Sequence, residues 1–169
     1  WMVRRQRQMC IRDSYSTGAA QAIIPHVLGL NFHKITWGEI NSWSLIEKHT
    51  DNLIIFGGIN PKNSQVSMGG STEHDVSSQF KKFGHAGKNM VSISPQKDDS
   101  PNETSWLPIN PGTDVALMLA IAHVLETEEL ADQLFLSKYC SGYEKFKKYF
   151  LGRDGHFAKT PEWASEETG

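Results

Sequence analysis

The sequence predicts an α/β fold: an open, mostly parallel, Rossmann-like sheet flanked by helices. Three observations carry this. Leu53 to Gly58 (Leu-Ile-Ile-Phe-Gly-Gly) is a continuous apolar run that stops at glycines, the pattern of a parallel strand buried on both faces. Asn89 to Ser94 repeats the pattern and stops before Pro95. Between them, Glu73 to Phe83 has helical spacing, with Val76, Phe80 and Phe83 on one side. Strand, helix and strand in that order form a crossover unit, expected to be right-handed.

The remaining elements follow in chain order. Thr17 to Val27 reads as a helix with Ser16 available as its cap. Trp37 to His49 reads as a helix leading to the first strand. Pro95 to Glu103 is a polar, charged loop, and Trp106 to Ile109 is a third short strand. It leads into the apolar helix from Asp114 to about Glu126, where Thr113 is placed to cap the first free N–H groups. Glu128 to Tyr139 and Tyr143 to Phe150 are further amphipathic helices, the second stopped by Gly152. There is no internal repeat and no low-complexity tract.

The first fourteen residues differ in character from the rest. Arg4 to Ser14 (Arg-Arg-Gln-Arg-Gln-Met-Cys-Ile-Arg-Asp-Ser) reads as the translation of a transposase-type sequencing adapter. Residues 1–14 are therefore expected to be a disordered artefact outside the fold. A basic nucleic-acid arm or a targeting peptide is the competing reading. The chain of 169 residues holds 17 basic and 19 acidic side chains; setting aside Arg4, Arg5, Arg7, Arg12 and Asp13 leaves 13 and 18, a net charge of −5. That balance argues against a nucleic-acid partner, which needs a basic face. Cys10 lies in the leader and leaves Cys140 alone, so no internal disulfide and no cysteine metal cluster is expected. No apolar run is long enough to span a bilayer.

Open α/β sheets bind ligands beyond the carboxyl ends of their strands, at helix N-termini. Three loops fit that position: Gly57 to Gln65, Ser94 to Asp99 and Asn110 to Asp114. Asp114 stands out in the third. A carboxylate has two acceptor oxygens and no donor, so it suits a planar pair of N–H groups such as a guanine edge or a guanidinium. The plainer reading is an acid in the first turn of a helix, favoured by the dipole. None of the seven histidines has metal-ligand spacing, and His26 and His123 read as packed side chains. Gly-x-Ser-x-Gly, a P-loop and Gly-x-Gly-x-x-Gly after a strand are all missing.

Motifs spread along the chain resemble one family. They are Tyr-Ser-Thr-Gly-Ala-Ala-Gln with Pro-His-Val (Tyr15 to Val27), Thr-Asp-Val-Ala-Leu-Met-Leu with Ala-His (Thr113 to His123), and Leu-Gly-Arg-Asp-Gly with Lys-Thr-Pro-Glu-Trp-Ala (Leu151 to Ala164). In this order they resemble the dimethyl sulfoxide reductase family of molybdenum enzymes, in the branch that reduces S-oxides and N-oxides. The resemblance implies a partial domain of a larger enzyme, cut at both ends. Residues 15–35 would carry the molybdenum-ligand motif, and residues 36–169 a nucleotide-binding domain truncated at its C-terminus. It implies molybdenum and a bis-molybdopterin guanine dinucleotide cofactor. Ser16 would be the metal ligand and catalytic residue, since a high-valent molybdenum centre accepts a hard oxygen donor. Asp114 would read the guanine, with Gly112 and Thr113 shaping the turn. Lys62 and Asn63, with Gly57 and Gly58, would meet the pyrophosphate or the pterin. Ser94 and Pro95 would stand at the ribose, where many relatives have Asp-Pro. The substrate would be a small S-oxide or N-oxide, with a lean towards the biotin sulfoxide side. The electron donor stays open between a cytochrome, a thioredoxin-like protein and an NADPH-linked partner. The compartment stays open between bacterial periplasm and cytoplasm. A second reading is a non-enzymatic nucleotide-binding or partner-docking α/β domain.

Overall fold

The computed structural model describes residues 18, 20–32, 34, 42–60 and 76–169. They fall into two compact units, one holding the described residues up to Thr50 and the other those from Asp51 onward. In the first unit, residues 20–28 are helical. The helix stops at Gly29, which has φ 69° and returns its N–H to the Pro25 carbonyl at 3.1 Å. Helix α1 (Trp43–His49) follows.

The second unit carries the sheet. Its elements run β1 (Asn52–Phe56), α2 (Val76–His85), β2 (Asn89–Ile93), a 3-10 turn (Lys97–Asp99), β3 (Ser105–Leu107), α3 (Asp114–Thr127), α4 (Gln133–Tyr139), α5 (Tyr143–Phe150) and α6 (Pro161–Thr168). The three strands are parallel, in the order β1-β2-β3. All three strands fall where the apolar runs predict them, within two residues.

Register decides what each face buries. Asn52 pairs with Asn89 and Phe56 with Ile93, while Val91 pairs with Ser105 and Ile93 with Leu107. Alternation then puts Leu53, Ile55, Met90 and Ser92 on one face, and Ile54, Val91, Ile93 and Leu107 on the other. The first face is closed. Ile55 and Met90 are buried, Phe80 and Phe83 of α2 are fully enclosed, and Gly84 of the same helix lies against the Met90 methyl. The second face is closed at Ile93 but open at Ile54, which is 51% exposed.

Helix α3 is apolar nearly all round and packs against α6 and α5, yet Val115, Met118 and Leu125 still meet solvent. Helix α4 buries no residue: Leu134 is 83% exposed, and Phe135 and Tyr139 are exposed beside it.

Two features differ from the sequence reading. The helix expected from Glu128 begins only at Gln133. Glu129 adopts φ 58°, and the N–H groups of Leu130 and Ala131 both donate to the Leu125 carbonyl, at 2.8 and 3.0 Å. This closes α3, and the Asp132 carboxylate then accepts from Phe135 N–H at 2.9 Å to start α4. Helix α6 was not anticipated, although Thr160 accepts from Trp163 N–H at 3.3 Å and Pro161 fills the first turn. Between β2 and β3 the chain makes only a 3-10 turn, inside the polar loop expected over Pro95 to Glu103.

Candidate functional site at the carboxyl edge of the sheet

Parallel pairing brings the three loops to one edge. The N–H of Gly57 donates to the Ile93 carbonyl at 2.8 Å, and that of Ser94 to the Leu107 carbonyl at 3.2 Å. The chain therefore leaves all three strands on the same side.

The loop after β1 turns on two glycines, Gly57 at φ 84° and Gly58 at φ 77°. Their surroundings differ. A Cβ on Gly58 would fall 2.6 Å from the Asp99 carbonyl oxygen, whereas a Cβ on Gly57 would meet nothing within 4 Å. Gly58 is thus required by close backbone packing, and Gly57 leaves room in front of the turn. The next two residues are tied down. Ile59 N–H donates to the Asp99 carbonyl and Asn60 Nδ2 to Asp99 Oδ1, both at 2.7 Å.

The loop after β2 is held from beneath. Ser94 is fully buried and its hydroxyl donates to the Gln96 carbonyl at 2.7 Å. Trp106 Nε1 donates to the Ser94 carbonyl at 3.0 Å, and the hydroxyls of Ser92 and Ser100 lie 2.8 Å apart. The hydroxyl of Ser94 is therefore spent on the turn and faces inward. Pro95 and Gln96 are the exposed residues of this turn. The Ser94 hydroxyl, expected at a ribose, is engaged in the turn itself. The physical reason is that a neutral hydroxyl next to an open carbonyl closes a local turn more readily than it waits for a ligand.

The loop after β3 places Gly112 at φ 82°, exposed, with nothing within 4 Å of an added Cβ. Thr113 does not cap α3 with its side chain. Its hydroxyl donates backwards to the Asn110 carbonyl at 2.7 Å, while its own carbonyl accepts from Ala116 N–H at 3.0 Å. Asp114 is the first residue of α3 and the only acid in its first turn. Among the described residues its carboxylate has no hydrogen-bond or ion-pair partner, so both oxygens are open to an incoming donor pair.

A cleft of about 800 Å³ opens beyond β1 and β2 against the start of α2. Ile59, Asn60, Val76, Lys81, Lys97 and Thr104 are among its walls. Gly58 packs on Asp99 beside this cleft, while Gly112, Thr113 and Asp114 share the sheet edge but not the cleft lining. Asn60, Lys81 and Asp99 are contributors that the sequence reading did not single out; an Asn-Pro after a double glycine was the available signal. Ser16, Lys62 and Asn63 lie outside the described residues. No group of three metal-ligating side chains occurs among the described residues.

The shifted titrations lie elsewhere. Burial raises Tyr143 first, helped by the negative charges of Glu144 and Cys140, while its hydroxyl donates to Glu126 at 2.6 Å. Lys147 pairs with the same carboxylate. The Thr160 hydrogen bond lowers Glu162 most, followed by the backbone bond and the nearby His123. His123 Nδ1 is buried with no hydrogen-bond partner among the described residues.

Parallel strands, helices on their flanks and glycine turns gathered at the carboxyl edge define a Rossmann-like α/β domain. The chain belongs to the molybdopterin oxidoreductase family, whose model matches residues 10–153 and so takes in Cys10 to Ser14 at the end of the leader. It is 40% identical over 160 residues to a trimethylamine-N-oxide reductase of Haemophilus influenzae, covering 94% of this chain and 19% of that protein. It is 33% identical over 159 residues to a biotin sulfoxide reductase of Cereibacter sphaeroides, covering 93% and 21%. It is 40% identical over 157 residues to dimethyl sulfoxide reductase DmsA of Escherichia coli, covering 83% and 18%. The chain thus spans about a fifth of the length of these relatives. No described helix is long and apolar enough to cross a membrane.

Proposed function

We propose that this chain is the segment of an S-oxide or N-oxide reductase that supplies a metal ligand, Ser16, and part of the cradle for a bis-molybdopterin guanine dinucleotide. The observation that carries the nucleotide reading is the open carboxylate of Asp114 at the start of α3. The described residues fit such a group. Gly57 and Gly112 both have positive φ and empty space where a side chain would stand, so a ligand can reach the backbone. Lys81 and Lys97 stand in the cleft wall as donors for a pyrophosphate, in a lining that also holds Asp98 and Glu103.

When bound, the cofactor supplies two-electron oxygen-atom transfer, which no side chain can perform. The chain's own residues bind and orient. Asp114 accepts from the guanine ring N–H and its exocyclic amine, a donor pair that adenine does not offer. Gly112 turns the backbone so that α3 begins at that carboxylate. Lys62 and Asn63, which lie outside the described residues, would meet the pyrophosphate or the pterin. The substrate is a small oxide, and the electron donor belongs to one of the three classes named above.

The test is Asp114→Ala in a complete reductase carrying this segment. Two hydrogen bonds to a charged acceptor are each worth about 1.5–3 kcal/mol, so guanine-nucleotide affinity should fall on the order of 100-fold or more. The helix itself should lose only about 0.3–1 kcal/mol. Guanine released from purified protein by acid and counted by chromatography is the measurement. Full guanine content in the Asp114→Ala protein sinks the assignment.

A further inference from the structure

The geometry points to Asn60 and Asp99 as a clasp that makes the β1 and β2 loops one rigid wall of the cleft; its ligand role rests on the nucleotide reading above. Asp99 meets the β1 loop in three ways. Its carbonyl accepts from Ile59 N–H, its Oδ1 accepts from Asn60 Nδ2, and its backbone lies where a Gly58 side chain would be. The other end of the same loop is anchored to the sheet. Ser100 Oγ stands 2.8 Å from Ser92 Oγ, and Trp106 Nε1 holds the Ser94 carbonyl. A path of short contacts therefore runs from the buried strand β2, through residues 94–100, to the turn at Gly57 and Gly58.

The consequence is positional. Gly57 has open space before it, and Asn60 forms part of the cleft wall. A glycine turn with two left-handed residues has many alternatives when free. The carboxylate of Asp99 selects one of them. Asp99 and Asn60 are positioning residues: they set where the loop stands and need not touch the ligand.

The test uses the 169-residue chain and needs no cofactor. Amide hydrogen exchange is followed residue by residue in Asp99→Ala, Asp99→Asn, Asn60→Asp and the swapped pair Asn60→Asp/Asp99→Asn. In Asp99→Ala, exchange at Ile59 should rise roughly 10- to 100-fold, the worth of one hydrogen bond to a charged group, while Met90 to Ile93 stay within about twofold. Asp99→Asn keeps the acceptor oxygen and should stay near wild type. Asn60→Asp sets two carboxylates together and should loosen the loop, and the swapped pair should restore it, as coupled partners do. Ile59 exchange unchanged in Asp99→Ala overturns the clasp. So does equal loosening of β2, or an Asp99→Asn protein that behaves like Asp99→Ala. If Asp99→Ala does not fold, the swap decides alone. Guanosine diphosphate added to the same samples bears on the other reading: no shift at Gly57 or Asp114 in the wild type counts against the nucleotide site and leaves the clasp judged by exchange.

Discussion

Ser16→Ala in a complete reductase carrying this segment should cut oxide reduction by more than about 100-fold, while the polypeptide still folds. Loss of a residue that only hydrogen-bonds to a metal ligand costs about 10- to 100-fold in metal sites, and a direct ligand should cost more. The hydroxyl supplies a hard oxygen donor, and a methyl group supplies none. The fold should notice little: the sequence offers Ser16 as the cap of a helix over Thr17 to Val27, and losing such a cap costs about 1 kcal/mol. Molybdenum content, the visible spectrum and turnover with a sulfoxide should be measured on the same preparation. Ser16→Cys offers a softer donor and should give an altered spectrum with residual metal. Near-normal turnover in Ser16→Ala would remove the molybdenum role from this serine and leave the reading of Asp114 standing.

Phe83→Ala should destabilise the isolated chain by about 3–5 kcal/mol. Phe83 is 0% exposed and lies on α2 with Phe80, which is 1% exposed. A Cβ on Gly84 beside it would stand 3.9 Å from the Met90 methyl, so this part of α2 lies over β2. Domains of this size have roughly 5–15 kcal/mol in total, so one truncation removes much of it. Urea denaturation followed by tryptophan fluorescence should show the midpoint collapse. Leu134→Ala is the control: at 83% exposure it should shift stability by no more than about 0.5 kcal/mol. If the two variants melt alike, the packing assigned to α2 is wrong.

The sheet was legible because buried parallel strands leave continuous apolar runs. Leu53 to Gly58 and Asn89 to Ser94 needed no tertiary information. The elements that differed are those decided by one side chain choosing between partners. Thr113 had two targets, the free N–H groups of α3 and the Asn110 carbonyl, and it took the carbonyl. Ser94 likewise turned inward to Gln96. Glu129 has no sequence mark of a left-handed residue, so the break between α3 and α4 was invisible. The start of α6 carried a signal that the sequence reading passed over, since Thr160 before Pro161 is an ordinary cap followed by a first-turn proline. Family membership was legible from ordered motifs, and the edge that holds Gly57, Gly112 and Asp114 was legible from strand polarity. The Asn60–Asp99 pairing was not: two residues 39 apart in sequence meet only once the parallel register is set.

The bare flank of α4 determines how the segment must be handled at the bench. Leu134, Phe135 and Tyr139 form a greasy ridge facing water, and Leu130 extends it. Ridges of this kind adhere to one another at the concentrations that crystallisation and calorimetry demand. Lysine or glutamate at positions 134 and 139, or a fused carrier protein, is the remedy such a surface calls for.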